Sequence, residues 1–467
     1  MAPIPDNEVI PLMSGLRLEM YEALEDNVSY CELSLLLTKH ADALIAQNGV
    51  ISQARSAAEK ILQDRERKMA LSILLHTIPR TLLKSIIVGT VAHDFLNNQN
   101  DPPRPVHYSG EGGGTYVAAM CIAGRNGSFL NAIEIQELVD ALRKYCVGYR
   151  FQKVRGASPI TPQHKAYDQW ARGVDSAFGS KPSKAADALR WIANDDALKR
   201  VEFLILSFTQ RLHPSRYHGK SKTLYHRQGP LMVGCSKLLK VRMKQHDPFD
   251  PSHLSLTTYT WALTLCLIKA ELHLTPQVVV KPVTHIWDNQ HLGASEVLVT
   301  ALASSYCFQD GFNVIGAGGQ SGSVDVDTLL ACKRYVFVTH QFFEDNARAT
   351  LDELQARHQF VEDVTACAEF PSKQLSNDLR ELQVSIQSLS IEVDNVIDLA
   401  QKAEDISNAL SDDLATLHKQ IRTLKKLKRL YRILLRKPGA LEEEDDDDDD
   451  DDDDVGTQSS DEVFLDK

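Results

Sequence analysis

The chain has 467 residues, of which 43% are apolar, a formal net charge of −12 and eight cysteines. That length allows two or three domains at roughly 100–200 residues each, and the composition excludes a disordered or collagen-like chain. The cysteines, at 31, 121, 146, 235, 266, 307, 332 and 367, form no CxxC pair, which argues against a disulfide scaffold and for reduced thiols inside a cell.

The charge is unevenly placed. Residues 438–467 hold sixteen acids against Lys467 alone, which leaves +3 for residues 1–437. A mildly basic body carrying a strongly acidic tail is expected where one part shields or imitates a polyanion. The amino terminus, with Pro3 and Pro5 and no basic segment ahead of an apolar run, lacks a secretory pattern. The longest apolar stretch, Trp261 to Ala270, falls short of the roughly 20 residues a membrane span needs. A soluble protein with no membrane span is expected.

In chain order, residues 1–100 read as an all-helical segment, in which Ile61, Leu62, Met69, Leu71, Leu74 and Leu75 mark one buried helix face. Pro102, Pro103 and Pro105 and the run Gly110–Gly114 break it with a loop or short hairpin. Helices are predicted again at 131–146, 164–178, 183–212, 230–245, 252–273, 293–308 and 341–370. Val278–Val280 and Tyr335–Thr339 are rich enough in β-branched and aromatic residues for short strands. The predicted fold class is mainly α with minor β: a two-lobed helical body, then a long coiled-coil-like segment and a disordered acidic tail. The expected domains are a helical segment 1–100, the rest of the N-terminal lobe 101–230, a C-terminal lobe 231–370, a heptad segment 371–437 and the tail 438–467.

The heptad segment carries apolar residues at alternating steps of four and three from Leu375 through Leu382, Leu389, Val396, Leu410 and Leu417 to Leu424. Such a seam buries only against other helices. Ala400, Ala403 and Ser407 weaken its middle while Ile397, Leu399 and Ile406 widen its face, a pattern that suits more than two helices or a helix folding back. Packing between chains and packing within one chain both remain open. The helix ends in Lys425, Lys426, Lys428, Arg429 and Arg432, and the unbroken acids Glu442–Asp454 follow. That tail cannot bury a core. As a tethered ligand it competes for cations with any external polyanion.

The most chemically suggestive stretch is 211–244. It holds Arg211, Arg216, Lys220, Lys222, Arg227, Lys237, Lys240, Arg242 and Lys244 without one acid, interleaved with Tyr217 and Tyr225. Cations for phosphates and flat rings for bases are what single-stranded nucleic acid requires; the bland alternative is a solvated loop and helix. A smaller cluster, Arg143, Lys144, Arg150, Lys153 and Arg155 with Tyr145, Tyr149 and Phe151, is a candidate for the same groove. Enzyme signals are weak. Phe312–Ile315, the glycines 316, 318, 319 and 322, a helix at 323–334 and Tyr335–Thr339 follow the order of a nucleotide-binding βαβ unit, but Ser321 stands where the third glycine or alanine is expected and no acid follows the second strand. His213, His218 and His226 lack the spacing of a zinc site. No catalytic residue, metal or cofactor is assigned.

The order of parts, a two-lobed helical body, the basic and aromatic stretch around Arg211–Lys244 and a charged C-terminal extension, resembles the nucleoproteins of negative-strand RNA viruses (Mononegavirales-like). The resemblance is architectural and covers residues 1–345. It implies a non-enzymatic, self-assembling protein that coats single-stranded RNA without sequence preference, forms homo-oligomers, and meets a polymerase cofactor or a basic protein through its tail, in the cytoplasm and in the virion. The ten-aspartate run and the heptad seam depart from that family and support an alternative: a cellular coiled-coil structural or regulatory protein, in the cytoplasm or nucleus, whose tail binds basic partners such as histones.

Overall fold

The computed structural model describes residues 15–46, 52–97, 105–154, 162–177, 189–214, 221–246, 258–319, 323–368 and 372–435. The chain divides into two units, Met1–Val361 and Glu362–Lys467. The first unit is built on a three-stranded antiparallel sheet in the order β2-β1-β3, with β1 at Gly114–Ile122, β2 at Leu231–Ser236 and β3 at Pro276–His285. Every residue of β1 is buried, and its side chains divide two cores between them. Val117, Ala119 and Cys121 enter one; Ala118, Met120 and Ile122 enter the other. This is the two-residue period of a strand covered on both faces.

One face is covered by α1 (Gly15–Glu25), α2 (Tyr30–Ala46), α3 (Ser52–Leu62), α4 (Arg65–His76), α5 (Arg80–Val88) and α6 (Val91–Leu96), together with the later helix α12 (His291–Ala303). The other is covered by α7 (Ala132–Val154), α8 (Pro162–Asp175), α9 (Asp195–Gln210) and α11 (Tyr259–Ala270); a short α10 (Leu239–Lys244) follows β2. The mainly helical architecture with minor β is therefore as the sequence indicates. The expected lobe boundary near residue 230 is not a break, because it falls at the entry to β2 within a single compact unit.

Local chemistry sets the helix starts. Asn131 and Glu134 exchange side-chain bonds with each other's backbone N–H, each at 3.0 Å, as a capping box for α7. Asn194 accepts from Ala197 N at 2.8 Å to cap α9, and Asp64 accepts from Arg67 N at 2.6 Å to cap α4. Gly114 is required where β1 meets β3, since a Cβ there would lie 2.0 Å from the Thr284 carbonyl oxygen.

Several expected elements take another form. The helix expected over 230–245 is β2 followed by α10. Phe312–Ile315 is no strand but a segment with isolated bridges at Gly311 and Asn313. Tyr335–Thr339 is a π-helical turn that extends α13 (Val326–Arg334), and the extended His340 separates it from α14 (Gln341–Ala368). The wide turn spreads its aromatic residues to two clusters: Tyr335 meets Tyr108, His285 and His340, while Phe337 meets Trp287 and Phe343. Met69 is 60% exposed and does not share the buried face of Leu71, Leu74 and Leu75.

In the second unit, α15 (Ser372–Leu435) is one continuous helix of 64 residues, and every residue of it whose burial is described is exposed. No single helix among the described residues is long and apolar enough to cross a membrane. Residues 436–467, which include the acidic run, lie outside the described residues.

Candidate nucleic-acid interface

The residues expected to bind RNA are not gathered on one surface. Arg211 is buried and paired with Asp310 at 2.5 Å, and its Nη1 donates to Gln228 O at 2.9 Å. Arg17 shares the same carboxylate at 3.2 Å from its own buried site. Arg211 therefore binds the core together and is not a surface phosphate ligand. Lys222, Tyr225 and Arg227 lie on a segment that hydrogen-bonds along 129–132: Ala132 N donates to Lys222 O, and Asn131 bridges Tyr225. The Arg125 guanidinium stands 4.0 Å from the centre of the Tyr225 ring and is held there by two bonds of 2.7 Å to Glu134. One face of the Tyr225 ring is thus already occupied, which leaves at most its other face for a base.

Lys237 and Lys240 are exposed beside and on α10, and Lys240 pairs with Glu111 at 2.5 Å. Arg216, Tyr217 and Lys220 lie outside the described residues. The α7 cluster also proves to be neutralised. Arg143 pairs with Asp140, Lys144 with Glu271, Arg150 with Glu202 and Lys153 with Asp195, while Tyr145, Tyr149 and Phe151 are buried; Arg155 lies outside the described residues. The glycine-rich segment offers no phosphate cradle at Gly318, whose N–H donates to Glu296 at 2.7 Å.

Of the expected residues, Arg242 lines a cleft of about 750 Å³, where it is joined by Arg190, Arg200, Trp191, Tyr259 and Ile315. These groups come from four places in the chain. Arg190 and Trp191 sit in the segment ahead of α9, clasped to α7 and α8. The Tyr145 hydroxyl donates to Asp175 Oδ1 at 2.5 Å, Arg190 N donates to Asp175 Oδ2 at 2.9 Å, and Trp191 N donates to the Tyr145 hydroxyl oxygen at 3.3 Å. Leu189 N donates to Gln152 Oε1 at 3.2 Å. Burial pushes the Asp175 carboxyl up to about 6, with the Tyr145 hydroxyl opposing the shift.

The Arg190 guanidinium lies 4.4 Å from the Trp191 ring centre, a cation–π contact that orients the cation without removing its charge. Arg200 projects from the second turn of α9, whose cap Asn194 also lines the cleft. Tyr259 stands at the start of α11; burial pushes its hydroxyl up to about 12, with Arg200 opposing, so it remains a neutral ring bearing a donor. Arg242 is oriented by a bond of 2.6 Å to Gln245 Oε1 and by the buried Tyr116 hydroxyl. Asp196 is the one acid among the lining residues.

Three guanidinium groups, the half-buried Tyr259 ring and one acid can bind an anionic chain with flat bases; Trp191 is buried beneath Arg190 and serves to position it. Arg190 and Arg200 lie outside the stretch singled out from the sequence, because Asp195 and Asp196 stand between them and dilute any local charge count. The Arg190–Trp191 dipeptide sets an arginine beside a ring, but so do Arg216–Tyr217, Tyr149–Arg150–Phe151 and Arg334–Tyr335, so it does not stand out in the sequence.

Burial pushes the Cys121 and Cys146 thiols up to about 12 and so holds them in the protonated form. Among the described residues no group of three or more His, Cys, Asp or Glu is placed to hold a metal ion. Compared with known proteins, the chain matches no family model, no characterised sequence and no solved structure.

Proposed function

We propose that the protein binds single-stranded RNA without sequence preference, with its seat in the cleft of Arg190, Arg200 and Arg242. The class of function is the one implied by the resemblance to negative-strand RNA virus nucleoproteins; the residues that carry it are largely different. The observation behind it is the convergence of three arginines and the half-buried Tyr259 ring, from segments far apart in the chain, on one cleft. Guanidinium groups pair with phosphate oxygens in two-point geometry. A base stacked on an aromatic ring contributes about 1–3 kcal/mol whatever its identity. None of the lining residues forms a base-edge reading set, which suits binding to any sequence.

The exposed Lys222, Lys237 and Lys244 add a diffuse positive field that speeds encounter rather than fixing register. The acidic tail limits premature binding by competing for these cations. The test is the nucleic-acid content of the purified chain. A high ratio of absorbance at 260 nm to 280 nm that falls on treatment with ribonuclease, and not deoxyribonuclease, supports the reading. A chain that carries no RNA, and takes up none when offered it at low salt, overturns it in favour of the coiled-coil regulatory alternative.

A further inference from the structure

The seam of α15 has no cover within the described residues. Leu382, Ile386, Leu389, Val393, Leu410, Leu414 and Leu417 are each 54–62% exposed, a contiguous apolar stripe far longer than a monomer's surface ordinarily shows. From Leu375 to Leu424 it runs about 75 Å at 1.5 Å per residue without a skip in the heptad. We propose that its occupant is the same seam of a second copy of this chain, in a parallel, two-stranded coiled coil. This inference is independent of the RNA cleft, since no cleft residue lies on α15.

Three observations select that arrangement. First, with Leu379 at heptad position a, three of the five large residues at a are β-branched (Ile386, Val393 and Ile421, beside Leu379 and Leu414), and five of the six large residues at d are leucine (Leu382, Leu389, Leu410, Leu417 and Leu424, beside Val396). That distribution favours two parallel strands over three or four. Second, Ala400, Ala403 and Ser407 make consecutive small layers. Two helices close such layers by approaching each other, whereas three or more leave a central void. The widened face at Ile397, Leu399 and Ile406, which taken alone favours larger bundles, then folds over the narrowed seam.

Third, the flanking charges agree with the parallel register. Contacts from g to the following e of the partner pair Asp413 with His418, Glu392 with Ile397 and Gln420 with Lys425, with no like-charge pair between Asp378 and Arg432. The antiparallel register that sets Ala400 against Ala403 instead places Glu392 against Asp413. Against the parallel arrangement stands Lys428 at a, but it lies beyond Leu424, where the seam ends. The remaining bases of that end, such as Lys419, Lys426 and Arg429, sit on outer positions, where salt screens repulsion beyond about 8–10 Å. Their alignment concentrates cations at the end of the coil from which both acidic tails continue.

The test uses the full chain stripped of RNA by nuclease and high salt, with mass measured by sedimentation equilibrium and orientation by disulfide cross-linking. A species of twice 52.1 kDa is expected. L382D combined with L389D should return it to the monomer while leaving the thermal unfolding of the rest of the chain in place, because both residues are exposed in the single chain. L382C and L417C should each cross-link to a dimer on its own, above the background of the native cysteines. A monomeric wild type, a trimer, or cross-linking only when L382C and L417C are mixed would each overturn the proposal.

Discussion

Asp310 joins the two halves of the first unit. Its buried carboxylate balances two buried guanidinium groups, Arg17 from α1 and Arg211 from the end of α9, and so ties the helices of one face of the sheet to those of the other. Desolvation pulls Arg17 below its usual range, opposed by Asp310 and reinforced by Arg211. Removing the shared anion leaves two uncompensated buried charges, which typically costs about 3–5 kcal/mol. D310N should therefore lower the urea midpoint sharply; an unchanged midpoint would show that the triad is dispensable. Arg211 looked like an RNA ligand because its neighbours in sequence are cations, whereas its partner lies 99 positions away. Local composition carries no trace of such a partner.

At the same scale, Asp175 makes the clasp beneath Arg190 sensitive to pH. Its folded value of about 6 lies above the ordinary 3.8, so the native state holds the proton more tightly than the unfolded chain does. The associated stability is complete below pH 4 and is lost as pH rises through 6, on the order of 3 kcal/mol at 1.36 kcal/mol per unit. D175N should remove that slope. Thermal melts of both proteins from pH 4 to 7 should show the wild type losing its advantage as pH rises; parallel curves would refute this role.

Elements were legible where apolar residues recur over a length only a helix reaches, and obscure where a short apolar run has no periodicity. The helices over residues 131–146 and 293–308, and the long heptad helix, are found close to their expected places. β1 was missed because its sequence from Tyr116 to Ile122 is a continuous apolar run without alternation, the signature of a strand covered on both faces and equally that of a buried helix. The Tyr335–Thr339 turn was misread because aromatic and β-branched residues favour strands, while here they are drawn into two aromatic clusters. The start of α9 was not located, yet it positions the cleft through the Asn194 cap. N194A should cost about 0.5–2 kcal/mol and weaken RNA binding through Arg200; full affinity at undiminished stability would detach the helix start from the site.

The whole molecule combines a body with an arginine-lined cleft, a helix with an exposed heptad seam and a tail of opposite charge. The cleft was not legible as a site because no two of its three arginines share a local cluster; only folding brings them together. The tail was legible from charge alone, and its proposed role makes a prediction. Removing residues 438–467 should raise RNA affinity and steepen its dependence on salt, since counterion release grows with the number of phosphates engaged. Unchanged affinity would leave the tail a solubilising extension.

The central claim is that Arg190, Arg200 and Arg242 hold RNA, and the most direct measurement is fluorescence anisotropy of single-stranded RNA against the wild type and R190E/R200E/R242E over a range of salt. The account predicts a loss of at least about tenfold, equal for oligo-U and mixed sequences, and a salt slope shallower by about 2, at roughly 0.7 per phosphate contact for single strands. A correctly folded triple variant that binds with wild-type affinity and slope would contradict it.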